Sequence, residues 1–233
     1  MATKDISILG LALVVSALIV GLFFYSARTT ENSIRVVGYA SKQFQSDIVK
    51  WTLSISRQVS AENVAPGYKM LKQNLTNLTS ALTTNGIPAD EITINPPSIQ
   101  PIWSNAGSRN YSINQSLFVI SQKVQKIESL ARTPDIVYEK GIFLENSNLE
   151  YNYTRIDELK KELLAAATQD AIERAREIAK SARARLGRII SARQGVFQIT
   201  EPYSTEVSDY GIYSTATRAK DIRVTVTVTF AIK

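Results

Sequence analysis

The first pattern along the chain is a run with no polar face. From Ile6 to Tyr25 (ISILGLALVVSALIVGLFFY) there is no charged residue. At ~1.5 Å of rise per residue a helix of that length reaches across the ~30 Å hydrocarbon core of a bilayer. Thirteen of its residues are Ile, Leu, Val or Phe. We therefore expect a single membrane anchor, with Ile6, Leu11, Val15, Leu18, Leu22 and Tyr25 along its length. A cleaved secretory signal is the competing reading, but the nearest cleavage candidate, Tyr25-Ser26-Ala27, puts a bulky ring where a small residue belongs. On either reading the rest of the chain is expected to be exported. The expected organisation is an anchor over 1–28, a short tether over 29–33 and one domain over 34–233.

Beyond the tether the periods alternate. Ser33 to Ala40 predicts a strand ended by Gly38, and Asp47 to Val59 predicts another, because Val49, Trp51, Leu53 and Ile55 alternate with Lys50, Thr52, Ser54 and Ser56. Val64, Tyr68, Leu71, Leu75, Leu78 and Leu82 then recur at helical spacing, and Asn85-Gly86 stops that helix before Pro88. Ile92 and Ile94 begin a strand broken by Pro96, Pro97 and Pro101. A loop through Trp103, Gly107 and Asn110 leads to an alternating strand from Tyr111, so the pair predicts a hairpin with a long tip.

A short helix from Val124 to Glu139, interrupted at Pro134, precedes the strand opened by Gly141, in which Glu145 to Asn148 suggests a bulge or turn. Asp157 to Leu186 predicts the longest helix, with Ile156, Leu159, Leu163, Ala167, Ala171, Ile178, Ala182 and Leu186 inside and Gly187 as its stop. Ile189 to Ile199 predicts a strand, Glu201 to Thr217 a polar loop or hairpin tip, and Ile222 to Ile232 a long strand with one core face. Strands and helices in this order define an α+β fold, a mixed β-sheet with helices packed on it.

Composition narrows the chemistry. The chain has no Cys and no His, so thiol chemistry, disulfides and Cys/His metal sites are excluded, and with them the usual general base at neutral pH. We expect no catalytic residues, no cofactor and no metal. The carboxylates Asp90-Glu91, Asp157-Glu158, Glu201, Glu206 and Asp209 show no spacing that pairs them across a cleft, and Asp157-Glu158 suit a first helical turn. The net charge is +6 with a pI near 9.4. Its excess lies between Arg174 and Arg193, which predicts a solvated face near a helix C-terminus. Contact with anionic lipid or a cell-wall polymer is the second reading; no nucleic-acid partner is expected of an exported chain.

Taken together, the strand IRVVGYA, the helix end NGIPADEIT, the Gly-Ile-Phe at 141–143, the Ala-rich helix closing with ARLGRI and the last strand VTVTVTFAI resemble the SIMPL-domain family, the periplasmic immunogenic-protein group. The resemblance covers nearly all of Ile34 to Ile232 and rests on order and spacing. That family usually carries two glycines around the first strand and Pro-Asp before the second, where this chain has Gly38 with Ala40 and Ser46-Asp47. The resemblance implies an exported, non-enzymatic protein that forms a symmetric homo-oligomer, a ring or cage, with a structural role at the cell envelope and a loose link to stress. Joined to the anchor, this places the chain on the outer face of a bacterial inner membrane, with the lipid bilayer as one partner. Trp103, Tyr111, Tyr203, Tyr210 and Tyr213 are the candidate oligomer or ligand contacts, since aromatic rings are enriched at interfaces. The alternative from another class is an envelope binding module that takes a wall polymer, peptide or small solute through the loops 95–110 and 201–217.

Overall fold

The structure is a computed structural model that describes residues 2–28, 32–103, 109–133, 138 and 141–233. Its helices are α1 (Ala2–Arg28), α2 (Val64–Thr84), α3 (Val124–Arg132) and α4 (Ile156–Ser181). Its strands are β1 (Ser33–Gln45), β2 (Ile48–Ser60), β3 (Ile92–Ile94), β4 (Ser98–Trp103), β5 (Arg109–Ser121), β6 (Leu144–Asn152), β7 (Leu186–Gln194), β8 (Gln198–Thr200), β9 (Ile212–Tyr213) and β10 (Ala219–Ile232). One sheet has the order β3-β5-β2-β6 with β4 also on β5; the other has β1-β10-β8-β9 with β7 also on β10. The β8–β9 pair is parallel, so the second sheet is mixed. The α+β architecture, with helices packed on sheets, is the one the sequence predicts. The chain forms two compact units, one of Met1–Tyr39, Ala167–Gln194 and Val226–Lys233, the other of Ala40–Ala166 and Gly195–Thr225.

The larger unit is assembled on β2. Alternation sends Val49, Trp51, Leu53 and Ile55 inward, each 2% exposed or less. The strand is paired along its length with β5 on one side and β6 on the other. Leu71, Leu75, Leu78 and Leu82 of α2 cover that face as the helical stripe requires. The stripe departs from expectation at its start, where Tyr68 is 43% exposed and Gly67 is buried instead. A Cβ on Gly67 would lie 2.4 Å from Val59 Cγ1, so the first turn of α2 meets β2 too closely for a side chain.

Three further expectations are changed or narrowed. Pro101 does not break β4, which among the described strands pairs with β5 alone and so lies at a sheet edge, where proline is tolerated. Asn146 to Asn148 pair regularly with Ser54–Thr52, so the expected bulge narrows to Glu145, which the register passes over between Ser54↔Asn146 and Ile55↔Leu144. The strand expected over 189–199 is two, because the chain turns at Gly195, whose Cβ would sit 2.6 Å from Thr225 Oγ1. The hairpin tip 104–108 and the break at Pro134 lie outside the described residues, as does most of the tether.

In the smaller unit Gly38 does not end β1, which runs on to Gln45. It is instead the point of closest approach to α4: a Cβ there would lie 2.0 Å from the Ala167 carbonyl oxygen and 2.8 Å from Ala171 Cβ. The helix contributes Ala167, Ala171, Ala175 and Ala179, each 3% exposed or less, in place of the expected Ile178, which is 50% exposed. A four-residue step overshoots a turn by about 40°, so the buried line winds slowly round the helix and leaves Ile178 outside it. In α1, the described side chains of residues 8 and 10–25 are all exposed. The described run 10–25 spans about 24 Å as helix, and among the described residues no helix is long and apolar enough to cross a membrane. The side chain of Ile6 lies outside the description.

The helix α4 ends at Ser181, earlier than Gly187. Arg183 takes φ of 58°, its amide donates to the Lys180 carbonyl at 3.0 Å, and the Ala184 amide donates to the Ala179 carbonyl at 2.9 Å. This is the Schellman closure that α2 makes at Gly86, with an arginine in the left-handed position. An L side chain there costs about 1 kcal/mol, part of which glycine would return as unfolded-state entropy. Arg183→Gly is therefore expected to raise stability by roughly 0.5 kcal/mol in urea unfolding, with an unchanged slope.

Candidate contact site

The most sharply built surface feature is the loop between β8 and β9. It is fastened from beneath by polar groups of β8 and β10. Gln198 donates its side-chain amide to the Ser208 carbonyl at 2.6 Å, and the Tyr203 amide donates to the Asp221 carboxylate at 3.1 Å. The Arg223 guanidinium donates to the Glu206 carbonyl. Gly211, with φ of 85°, closes the loop where a Cβ would sit 2.8 Å from the Phe197 carbonyl oxygen.

Above these ties the loop turns its large side chains outward. Tyr203 is 90%, Val207 72% and Tyr210 98% exposed. Tyr203 also holds φ of 63°, a left-handed conformation that is costly for an aromatic residue. The backbone is thus rigidly tied while three apolar groups face solvent.

The base holds one unusual group. Lys220 is 1% exposed and donates to the Ser214 carbonyl. Burial pulls its pKa down from 10.5 to about 8, the charge of Glu201 acting the other way. Around the loop's base, Thr200 Oγ1 and Gln198 Oε1 are also buried, without hydrogen-bond partners among the described residues. The pattern of β10 carries a signal for Lys220 that the apolar alternation from Ile222 onward does not include. In β10, positions 220, 222, 224, 226, 228 and 230 are the inward set, and a cation at the first of them breaks the rule for that face.

The expected contact residues do not form one surface. Tyr203 and Tyr210 share the loop. Tyr213, at its end in β9, is 45% exposed, and burial raises its pKa, with a backbone hydrogen bond from Tyr153 opposing and the charge of Asp47 adding to the rise. Tyr111 is half-buried in β5 opposite Val59 and Pro101. Tyr151, whose amide donates to the Thr215 carbonyl, faces Val49, ten residues along β2 from Val59. That is about 33 Å of extended strand, so Tyr111 belongs to the opposite end of the sheet. The side chain of Trp103 lies outside the described residues. The basic run is dispersed too: Arg174, Arg176 and Lys180 are on α4, Arg183 caps it, and Arg188 and Arg193 are on β7. It is not one helix face.

Among the carboxylates, Asp90 and Glu91 lie in a single 3-10 turn and Asp157 and Glu158 in the first turn of α4. Among the described residues no group of three or more carboxylates is placed to hold a metal ion. The unit that carries the loop also has a groove of about 320 Å³ lined by Trp51, Leu130, Tyr138 and Leu144, with Trp51 Nε1 donating to Ser147 Oγ at 2.9 Å.

The chain is thus an α+β fold that presents a tied loop with Tyr203, Val207 and Tyr210 facing solvent. The family comparison gives its lineage: the SIMPL family, described as a protein of unknown function (DUF541), matches residues 34–231, and the chain belongs to that family. A comparison with curated proteins finds no match.

Lys220 sets a pH signature for the loop. In the unfolded chain the amine titrates at its ordinary 10.5, in the folded chain at about 8. Between those values the unfolded state binds more protons, so stability rises with pH; below pH 8 the burial penalty is fully present. Relative to Lys220→Met, the natural chain is expected to gain up to about 3 kcal/mol between pH 8 and pH 10.5. Paired melting curves across that range check it, and parallel curves would contradict it.

Proposed function

We propose that the chain is a non-catalytic, self-associating module of the bacterial cell envelope. Residues 34–233 assemble into a homo-oligomer through the 201–213 loop, and α1 moors the assembly to the bilayer on the outer face of the inner membrane. The observation that carries this reading is the loop itself. A flexible tip would sample many conformations and pay entropy to bind; this one is tied at its backbone and holds Tyr203, Val207 and Tyr210 out in advance. Tyr is among the residues that most often carry binding energy at interfaces. The strain at Tyr203 supports the same reading, because Gly or Asn would occupy that backbone conformation at lower cost.

Support for the mooring comes from the character of α1. Leu11, Val15, Leu18, Leu22 and Tyr25 are each at least 46% exposed, and Leu13, Val20 and Phe23 on other sides of the helix are no less so. A helix apolar around its whole circumference requires apolar surroundings. In an oligomer each subunit would bring one such helix, and several weak anchors acting together hold far more firmly than one.

Light scattering of the detergent-solubilised chain tests the assembly. A discrete particle of several times the 25.8 kDa subunit mass is expected. Replacing Tyr203 and Tyr210 by Ser should weaken association at least tenfold, about 1.4 kcal/mol. Tyr203→Asn should weaken association while leaving the subunit as stable as before or more so. A monomer at all concentrations contradicts the proposal and directs attention to the Trp51 groove as a ligand site.

A further inference from the structure

The smaller unit carries a different feature on the sheet face turned away from α4. Val36 and Gly38 of β1 are buried, so Arg35 and Val37 project from the opposite side, where Val37 is 49% exposed. On β10 the buried positions are Val226, Val228 and Phe230, so Thr227 and Thr229 project the same way. The antiparallel register places Arg193 of β7 opposite Thr227, and Ser191 opposite Thr229. These residues, Arg35, Ser191, Arg193, Thr227 and Thr229, line a groove of about 440 Å³.

The chemistry of this lining is one-sided. It presents two guanidinium groups and three hydroxyls, and among the described residues no carboxylate lines it. Neither Arg35 nor Arg193 has an ion-pair or hydrogen-bond partner among the described residues. They stand on the two strands that flank β10; the Ile232–Asn32 and Ser46–Arg218 backbone bonds set Arg35 opposite Thr229, two residues from Thr227, so the backbones are about 12 Å apart, a span two arginine side chains close. Two like charges over one groove repel unless something negative lies between them. Guanidinium forks bind the oxygens of phosphate in pairs, and hydroxyls complete the shell.

We infer that this groove is a binding site for a phosphate-class oxyanion, held between Arg35 and Arg193 over the Thr227, Thr229 and Ser191 hydroxyls. It is separate from the loop contact and does not depend on it. The ligand could be free phosphate or the phosphodiester of a lipid headgroup or wall polymer, because the recognising groups are the same for both.

The test uses the full chain in a neutral detergent, titrated calorimetrically with inorganic phosphate and with glycerophosphoglycerol, the deacylated headgroup of phosphatidylglycerol, against sodium chloride of equal ionic strength. Arg35→Gln and Arg193→Gln are each expected to weaken binding of the preferred probe about tenfold, and Arg176→Gln, on α4, to leave it unchanged. Preference for phosphate assigns the site to the free ion, and preference for the diester assigns it to a headgroup or polymer. Since Arg35 and Arg193 are exposed, melting curves of the variants should match the parent. The inference is overturned if neither probe binds more tightly than chloride, or if Arg176→Gln reduces binding as much as the two groove variants do.

Discussion

The larger unit depends on a single constraint: β2 must be paired on both sides while keeping one face dry. Its register with β5 runs without a slip from Val49↔Ser121 to Ser60↔Asn110. A shift of one residue would turn Lys50, Thr52, Ser54 and Ser56 into the space now filled by Val49, Trp51, Leu53 and Ile55. That alternation therefore fixes where β5, β6 and α2 sit. The adjustments at the margins, such as Gly67 beneath Val59 and the register shift at Ser54/Ile55, occur where the ladder ends or bends.

A second strand, β10, does a different task. Its inward positions supply Ile222, Val224, Val226, Val228 and Phe230, yet the first inward position is Lys220. Its outward positions hold Asp221 and Arg223 near the 201–213 loop, and Thr227 and Thr229 in the basic groove. One alternating strand thus contributes a core, the fastening of a loop and the floor of a groove. Its polar residues reach the loop and the groove, while the apolar ones are occupied by packing.

Most of this architecture is legible in the sequence, and the exceptions have definite causes. Both long strands, the stripe of α2 and its stop at Gly86 follow from period and cap chemistry. The same Schellman closure at Arg183 is hidden because no glycine announces it, so the end of α4 is read five residues late at Leu186. Gly38 looks like a strand stop but serves the approach of two alanines from far along the chain, a tertiary cause that local pattern does not contain. For the site, the loop was visible as a Tyr-rich polar segment. Its fastening by Gln198, Asp221 and Arg223 was not, and Lys220 stands two residues before Ile222, where the apolar alternation of its strand begins. The basic groove escaped because Arg35 and Arg193 meet only through the pairing of β1 and β7 with β10.

The central functional claim is that a rigid loop holds tyrosines ready for another copy of the chain. Hydroxyl-radical footprinting of the full chain, read at Tyr203 and Tyr210 over a wide concentration range, addresses it directly, with exposed Phe143 as the internal reference. Oxidation of both tyrosines is predicted to fall severalfold relative to Phe143 as concentration rises and subunits cover the loop. Rates that stay constant at every concentration, near that of free tyrosine, would contradict the account.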